Sequence, residues 1–137
     1  MDLKIIPLSY NDYDNILSDW WKDWGWTPPA RDFLPQNGEG GLIVWDGDVP
    51  VCAGYIYITN SKVSWIDWII SDKNYRNKNK RQKAIELLLE TLMVICNNND
   101  SKYAYALIKN KNLIKTYEKL GFTKADNYTQ EMIKIFN

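Results

Sequence analysis

Four short segments of this 137-residue chain hold residues that could do chemistry. In Trp65-Ile66-Asp67-Trp68-Ile69-Ile70 a carboxylate stands inside an apolar run. A charge buried there must be paired, hydrated or shifted in pKa. Asp67 therefore suits a general base or a water holder. A hydrogen-bonded structural acid, or an acid on an exposed sheet face, fits equally. On a strand's alternation Asp67 shares a face with Trp65 and Ile69. Next, DKNYRNKNKRQKA, residues 72–84, carries six cations and no acid between Asp72 and Glu86. They are Lys73, Arg76, Lys78, Lys80, Arg81 and Lys83. They fall at the start of a predicted helix, where free N–H groups and the macrodipole favour anions. A phosphate-bearing ligand would explain them; a solvated basic turn is the alternative.

The third segment is NKNLIKTYEKLGF, residues 110–122, with Tyr117 in mid-helix. A phenol can protonate a leaving group if held against one. It can also be an amphipathic, half-buried tyrosine. The fourth is WWKDWGW, residues 20–26. Trp20 and Trp24 share a helical face and Trp21 points elsewhere. Such a run suits either a wall beside a cleft or a helix fixed to a sheet by its indoles.

Absences remove other chemistries. The chain has no histidine, so Ser-His-Asp and Cys-His pairs and imidazole metal sites are excluded, and no metal is expected. Cys52 and Cys96 lie far apart in apolar runs and read as reduced core residues of a cytoplasmic protein. Seventeen basic and seventeen acidic side chains cancel. The six cations of residues 73–83 are thus balanced by a net acidic remainder, and the aromatics are not interleaved with them. A nucleic-acid partner is not expected. No apolar run is long enough for a membrane span, and the first residues do not read as a secretion signal.

These segments need elements to hold them. Leu3 to Leu8 reads as a strand, followed by a helix from Asn11 to Lys22 capped by Ser9. Leu42–Trp45, Pro50–Thr59 and Val63–Ile70 read as an antiparallel meander. Its first turn is Asp46-Gly47 in type I′ geometry, its second Asn60-Ser61. Tyr55 and Tyr57 share one face of the middle strand. The period then changes to that of a helix from Asn79 to Asn97. A strand from Tyr103 to Ile108 completes a βαβ unit, so it should lie parallel to the third meander strand. Asn110 to Leu120 is a helix ended by Gly121, and Tyr128 to Ile135 a last strand. The expected fold is one α+β domain over residues 1–137, its mixed, mostly antiparallel sheet flanked by helices.

In this order of elements the chain resembles the GNAT superfamily of N-acetyltransferases over nearly its whole length. DWIISDKNYRNKNKRQKAIELLLE resembles that family's acetyl-CoA motif, a strand followed by R-G-x-G-x-G and a helix. NKNLIKTYEKLGF is similar to its N-x-x-A-x-x-x-Y-x-x-x-G-F, with Asn110, Tyr117, Gly121 and Phe122 in register. The chain also resembles small GNAT-like proteins of bacteriophages. The resemblance implies that Ile69, Ile70 and Ser71 pair with the pantetheine arm of CoA. It implies that the turn Arg76, Asn77, Lys78, Asn79, Lys80, Arg81 holds the pyrophosphate, with Asn110 near the arm. Tyr117 would be the general acid and Asp67 the base for the acceptor amine. The family's three glycines are here Asn77, Asn79 and Arg81. Asparagine tolerates the left-handed region, so the turn can persist. Arg81 could bind a phosphate or fill its site.

The expected function is transfer of an acetyl group from acetyl-CoA, or another acyl from its acyl-CoA, to a primary amine. The acceptor would be a small molecule, a peptide or a protein, and attack would be direct. Trp20, Trp24, Trp26 and Phe33 would wall the acceptor site, with Tyr55 or Tyr57 as its floor. The chain would act as a monomer or homodimer. The alternative is a GNAT-fold binding or protein-interaction module that no longer catalyses.

Overall fold

Apolar alternation over residues 3–7 and 41–71 builds four strands, and a fifth follows the long helix. The computed structural model describes residues 2–127 and 130–136. Its sheet runs β1 (Leu3–Pro7), β2 (Gly41–Asp46), β3 (Val49–Ile58), β4 (Val63–Ser71), β5 (Tyr103–Tyr105), in that order across the sheet. Neighbours are antiparallel from β1 to β4, and β5 is parallel to β4. This is the expected α+β arrangement.

The helices are α1 (Ser18–Asp23), α2 (Lys78–Asn98) and α3 (Lys111–Lys119). Helix α2 joins β4 to β5 and covers one sheet face. Leu42, Val44, Cys52, Ile56 and Ile66 meet Ala84, Leu88 and Leu92 there. Gly54 makes room for Ile69 of β4 under the helix: a Cβ there would sit 2.5 Å from the Ile69 side chain and 3.4 Å from those of Leu88 and Leu92. On the other face Ile43, Ala53, Tyr55 and Ile70 pack against Leu17, Trp20 and Trp21. Strands β2, β3 and β4 thus feed both cores, which is what alternation on a doubly covered sheet produces.

Several local expectations are corrected. The first turn is centred on Gly47 and Asp48, because Asp46 pairs with Val49. Only Gly47 has a positive φ, +59°, which is the type II′ pattern. Ser9 does not cap the first helix. Its own N–H donates to the Asp12 carboxylate at 2.8 Å, and the chain enters through a π turn at Tyr13–Leu17. Trp21, on another helical face than Trp20, is buried as well, 2% exposed. Its ring lies 6.2 Å from those of Tyr13 and Trp68, so this short helix is covered from two sides.

Of the expected last strand, Tyr128 and Thr129 lie outside the described residues. Gln130 to Ile135 form no strand. Met132 and Ile135 are exposed, so burial does not drive that apolar pattern into the sheet.

Candidate active site

Strands β4 and β5 pair only between Val63–Trp65 and Tyr103–Tyr105. Beyond Trp65, β4 continues to Ser71 with no strand on that side among the described residues. In this stretch the chain bulges. Ala53 faces Ile70 and Tyr55 faces Asp67, so Trp68 and Ile69 together oppose Gly54. Trp68 carries φ +58°, a left-handed conformation that is costly for a bulky side chain. The extra residue reverses the alternation. Asp67 keeps its face with Trp65, but Ile69 turns to the α2 side, which corrects the expected shared face.

Asp67 is half-buried at this break. One carboxylate oxygen accepts from the Trp68 backbone N–H at 2.7 Å and the other from the Trp65 indole at 3.1 Å. Burial raises its pKa, the two N–H bonds oppose the rise, and Glu131 adds to it; the net direction is upward.

Tyr117 comes from α3. Asn110 caps that helix, its side chain accepting from the Leu113 N–H at 3.0 Å. Two contacts dock α3 on α2: Gln82 donates to the Thr116 hydroxyl at 2.9 Å, and Lys119 bridges Glu86 at 3.1 Å. The Tyr117 side chain is 2% exposed, its ring 4.9 Å from Phe122. Burial raises its pKa above the usual phenol value, and the charge of Asp67 raises it further. Among the described residues its hydroxyl has no hydrogen-bond partner. Asp67 and Tyr117, fifty residues apart in sequence, thus lie within electrostatic reach of each other.

The aromatic residues divide into three groups. Phe33 and Tyr57 gather on Trp68, the residue next to Asp67: the Tyr57 hydroxyl donates to the Phe33 carbonyl and accepts from the Trp68 indole, both at 2.8 Å. Trp24 and Trp26 stack at 5.8 Å at the other end of β4, where the Trp24 indole donates to the Ser71 carbonyl at 2.8 Å. Trp20 and Tyr55 are core residues, 5% and 0% exposed, and the Tyr55 hydroxyl is spent on the Gly38 carbonyl. The expected acceptor wall therefore does not include these two. Trp68 was missed, because nothing in the sequence marks the bulge that turns it toward Tyr57.

At the start of α2, Asn77 is the N-cap and accepts from the Lys80 N–H at 3.0 Å. The first turn holds no acid. A depression of about 380 Å³ is lined by Asn77, Asn79, Lys80 and Lys83. Lys80 bridges Asp46 at 2.7 Å, where Tyr75 also donates, and together they hold the Asp46 carboxyl below its usual range. Arg81 folds back on the preceding loop and donates to the carbonyls of Asp72, Lys73 and Tyr75. Arg76 and Lys78 are exposed and form no ion pair among the described residues. Of the remaining expected cofactor contacts, Ile70 is buried toward α1, and the Ser71 carbonyl is occupied by Trp24.

No protein-family model matches the chain, and no curated protein matches it by sequence. Solved structures do. The ribosomal-protein-S18-alanine N-acetyltransferase of Escherichia coli superposes with a TM-score of 0.68 at 16% identity, over 90% of this chain and 79% of that one. The glucosamine-6-phosphate N-acetyltransferase of Arabidopsis thaliana gives 0.61 at 18% identity, over 100% of both chains. An acetyltransferase of Trypanosoma brucei gives 0.65 at 16% identity, over 96% and 100%. The fold is that of the GNAT acetyltransferases. Among the described residues no helix is long and apolar enough to cross a membrane.

Proposed function

We propose that the protein is an acyl-CoA-dependent N-acyltransferase, with acetyl-CoA as donor and a primary amine as acceptor. One observation carries this: where β4 loses its neighbour beyond Trp65, the half-buried Asp67 is held on two N–H donors, and its charge bears on the buried phenol of Tyr117. A carboxyl with a raised pKa is a better base for an ammonium, and a buried phenol stays protonated as an acid.

The start of α2 fits an anionic pyrophosphate. It lacks acids, keeps the Lys78 and Asn79 amides near the helix end, and adds Arg76, Lys78 and Lys83 as available cations. Bound acyl-CoA supplies an acyl group activated as a thioester. Asp67 takes a proton from the acceptor's ammonium form, directly or through a water, which frees the neutral amine for attack, and later returns that proton to solvent. Tyr117 gives its phenolic proton to the departing sulfur, and the phenolate recovers, through water, the extra proton that the nitrogen carries after attack. The scheme uses neither a histidine nor a covalent enzyme adduct, which suits a chain whose cysteines are both buried.

Two contacts favour a second reading, a non-catalytic interaction module. Arg81 spends its guanidinium on loop carbonyls, and Trp24 occupies the Ser71 carbonyl. Thiol release from acetyl-CoA with an amine panel, paired with calorimetry of acetyl-CoA binding, separates the two. An acyltransferase predicts that Tyr117→Phe lowers kcat by about 100-fold and leaves acetyl-CoA affinity unchanged. No binding of acetyl-CoA at millimolar concentration would leave the interaction module.

A further inference from the structure

We infer that the acceptor is an amine carried on an apolar, preferably aromatic, body with no anionic group near the nitrogen. This deepens the acyltransferase reading and rests on it, because it takes Asp67 as the group that meets the amine.

Three observations carry it. First, Asp67 forms no ion pair among the described residues, and the charged side chain that adds to its raised pKa, Glu131, is another acid. A phosphate or carboxylate beside the amine would meet two negative charges with nothing to offset them.

Second, the polar hydrogens of the surrounding wall are already spent within the protein. The Trp65 indole donates to Asp67, the Trp68 indole to the Tyr57 oxygen, and the Tyr57 hydroxyl to the Phe33 carbonyl. The oxygens of a sugar or a phosphate would therefore find no donor in these three side chains, and desolvating them there would cost free energy.

Third, what the wall offers instead is ring surface. Phe33 is 46% exposed and sits edge-on to Trp68 at 5.9 Å. Such rings accept an apolar body, and their faces attract an ammonium ion.

The test compares 2-phenylethylamine, glucosamine 6-phosphate and free alanine as acceptors, with acetyl-CoA as donor and thiol release as readout. The expected result is a kcat/KM for 2-phenylethylamine about 100-fold above the two anion-bearing amines. Phe33→Ala, an exposed position, should raise the KM for 2-phenylethylamine about tenfold and leave the KM for acetyl-CoA unchanged. Turnover of either anion-bearing amine equal to or above that of 2-phenylethylamine overturns the inference and leaves the acyltransferase reading standing. Thiol release with none of the three, where acetyl-CoA binds, overturns the inference, and the amine panel then decides the acyltransferase reading.

Discussion

At the level of single residues, Asp67 differs from an ordinary surface acid in what surrounds it. Two N–H groups hold its oxygens, yet burial still moves its pKa upward. The folded state therefore binds the Asp67 proton more tightly than the unfolded chain does. Its contribution to stability is fully present below the ordinary carboxylate pKa of about 4 and is lost as pH rises through the raised folded value. Urea unfolding from pH 4 to 8 should show wild type losing stability relative to Asp67→Asn as pH rises. The opposite slope would mean that the two N–H bonds outweigh burial. The same variant should lose the acidic limb of the rate profile, because the ionised carboxylate is the form that takes the proton.

At the level of elements, the start of α2 is organised by Arg81 as much as by its cap. The guanidinium joins three carbonyls of the preceding loop, while its Nε is buried without a partner. A glycine at this position would leave those carbonyls to water. Arg81→Ala should cost about 2 kcal/mol, the usual worth of charge-assisted hydrogen bonds, read as a lower urea midpoint. Arg81→Lys should restore little, because an ammonium lacks the planar fork. Unchanged stability with lost acetyl-CoA affinity would mean that the guanidinium serves the ligand and not the loop. The bulge at Trp68 acts at the same scale, since one inserted residue decides which side chains join Asp67.

At the level of the whole molecule, a chain of zero net charge concentrates six cations in residues 73–83. Long-range fields from such a balanced charge set largely cancel, so attraction for an anionic ligand is local and partly screened. Acetyl-CoA affinity measured by calorimetry should fall several-fold between about 0.05 and 0.3 M salt. Arg76→Ala should flatten that dependence. A salt-independent affinity would mean that the backbone amides of α2 hold the ligand without the side chains.

The sequence by itself determined most of the elements and the sheet. Period-2 alternation from Leu42 to Ile70, a glycine at a turn and helical spacing from Ala84 to Ile95 are local signals. Local signals survive because each is enforced by burial on a known face. Asn110 and Gly121 were legible as helix ends for the same reason, and Tyr117 and Asp67 as candidates. Only the tertiary structure decided what those candidates do together. Whether Asp67 is half-buried and within reach of Tyr117 depends on how α3 docks against α2 and on where β5 ends. The reversal of side-chain facing at Trp68 arises from a mismatch between two strands, and no single strand's pattern contains it. Trp20 and Trp21 read as different faces of a helix, and both are buried, because burial is set by what lies outside the helix. The last apolar segment reads as a strand in isolation, but its described part gains no strand neighbour, and pairing is a property of two segments and not of one.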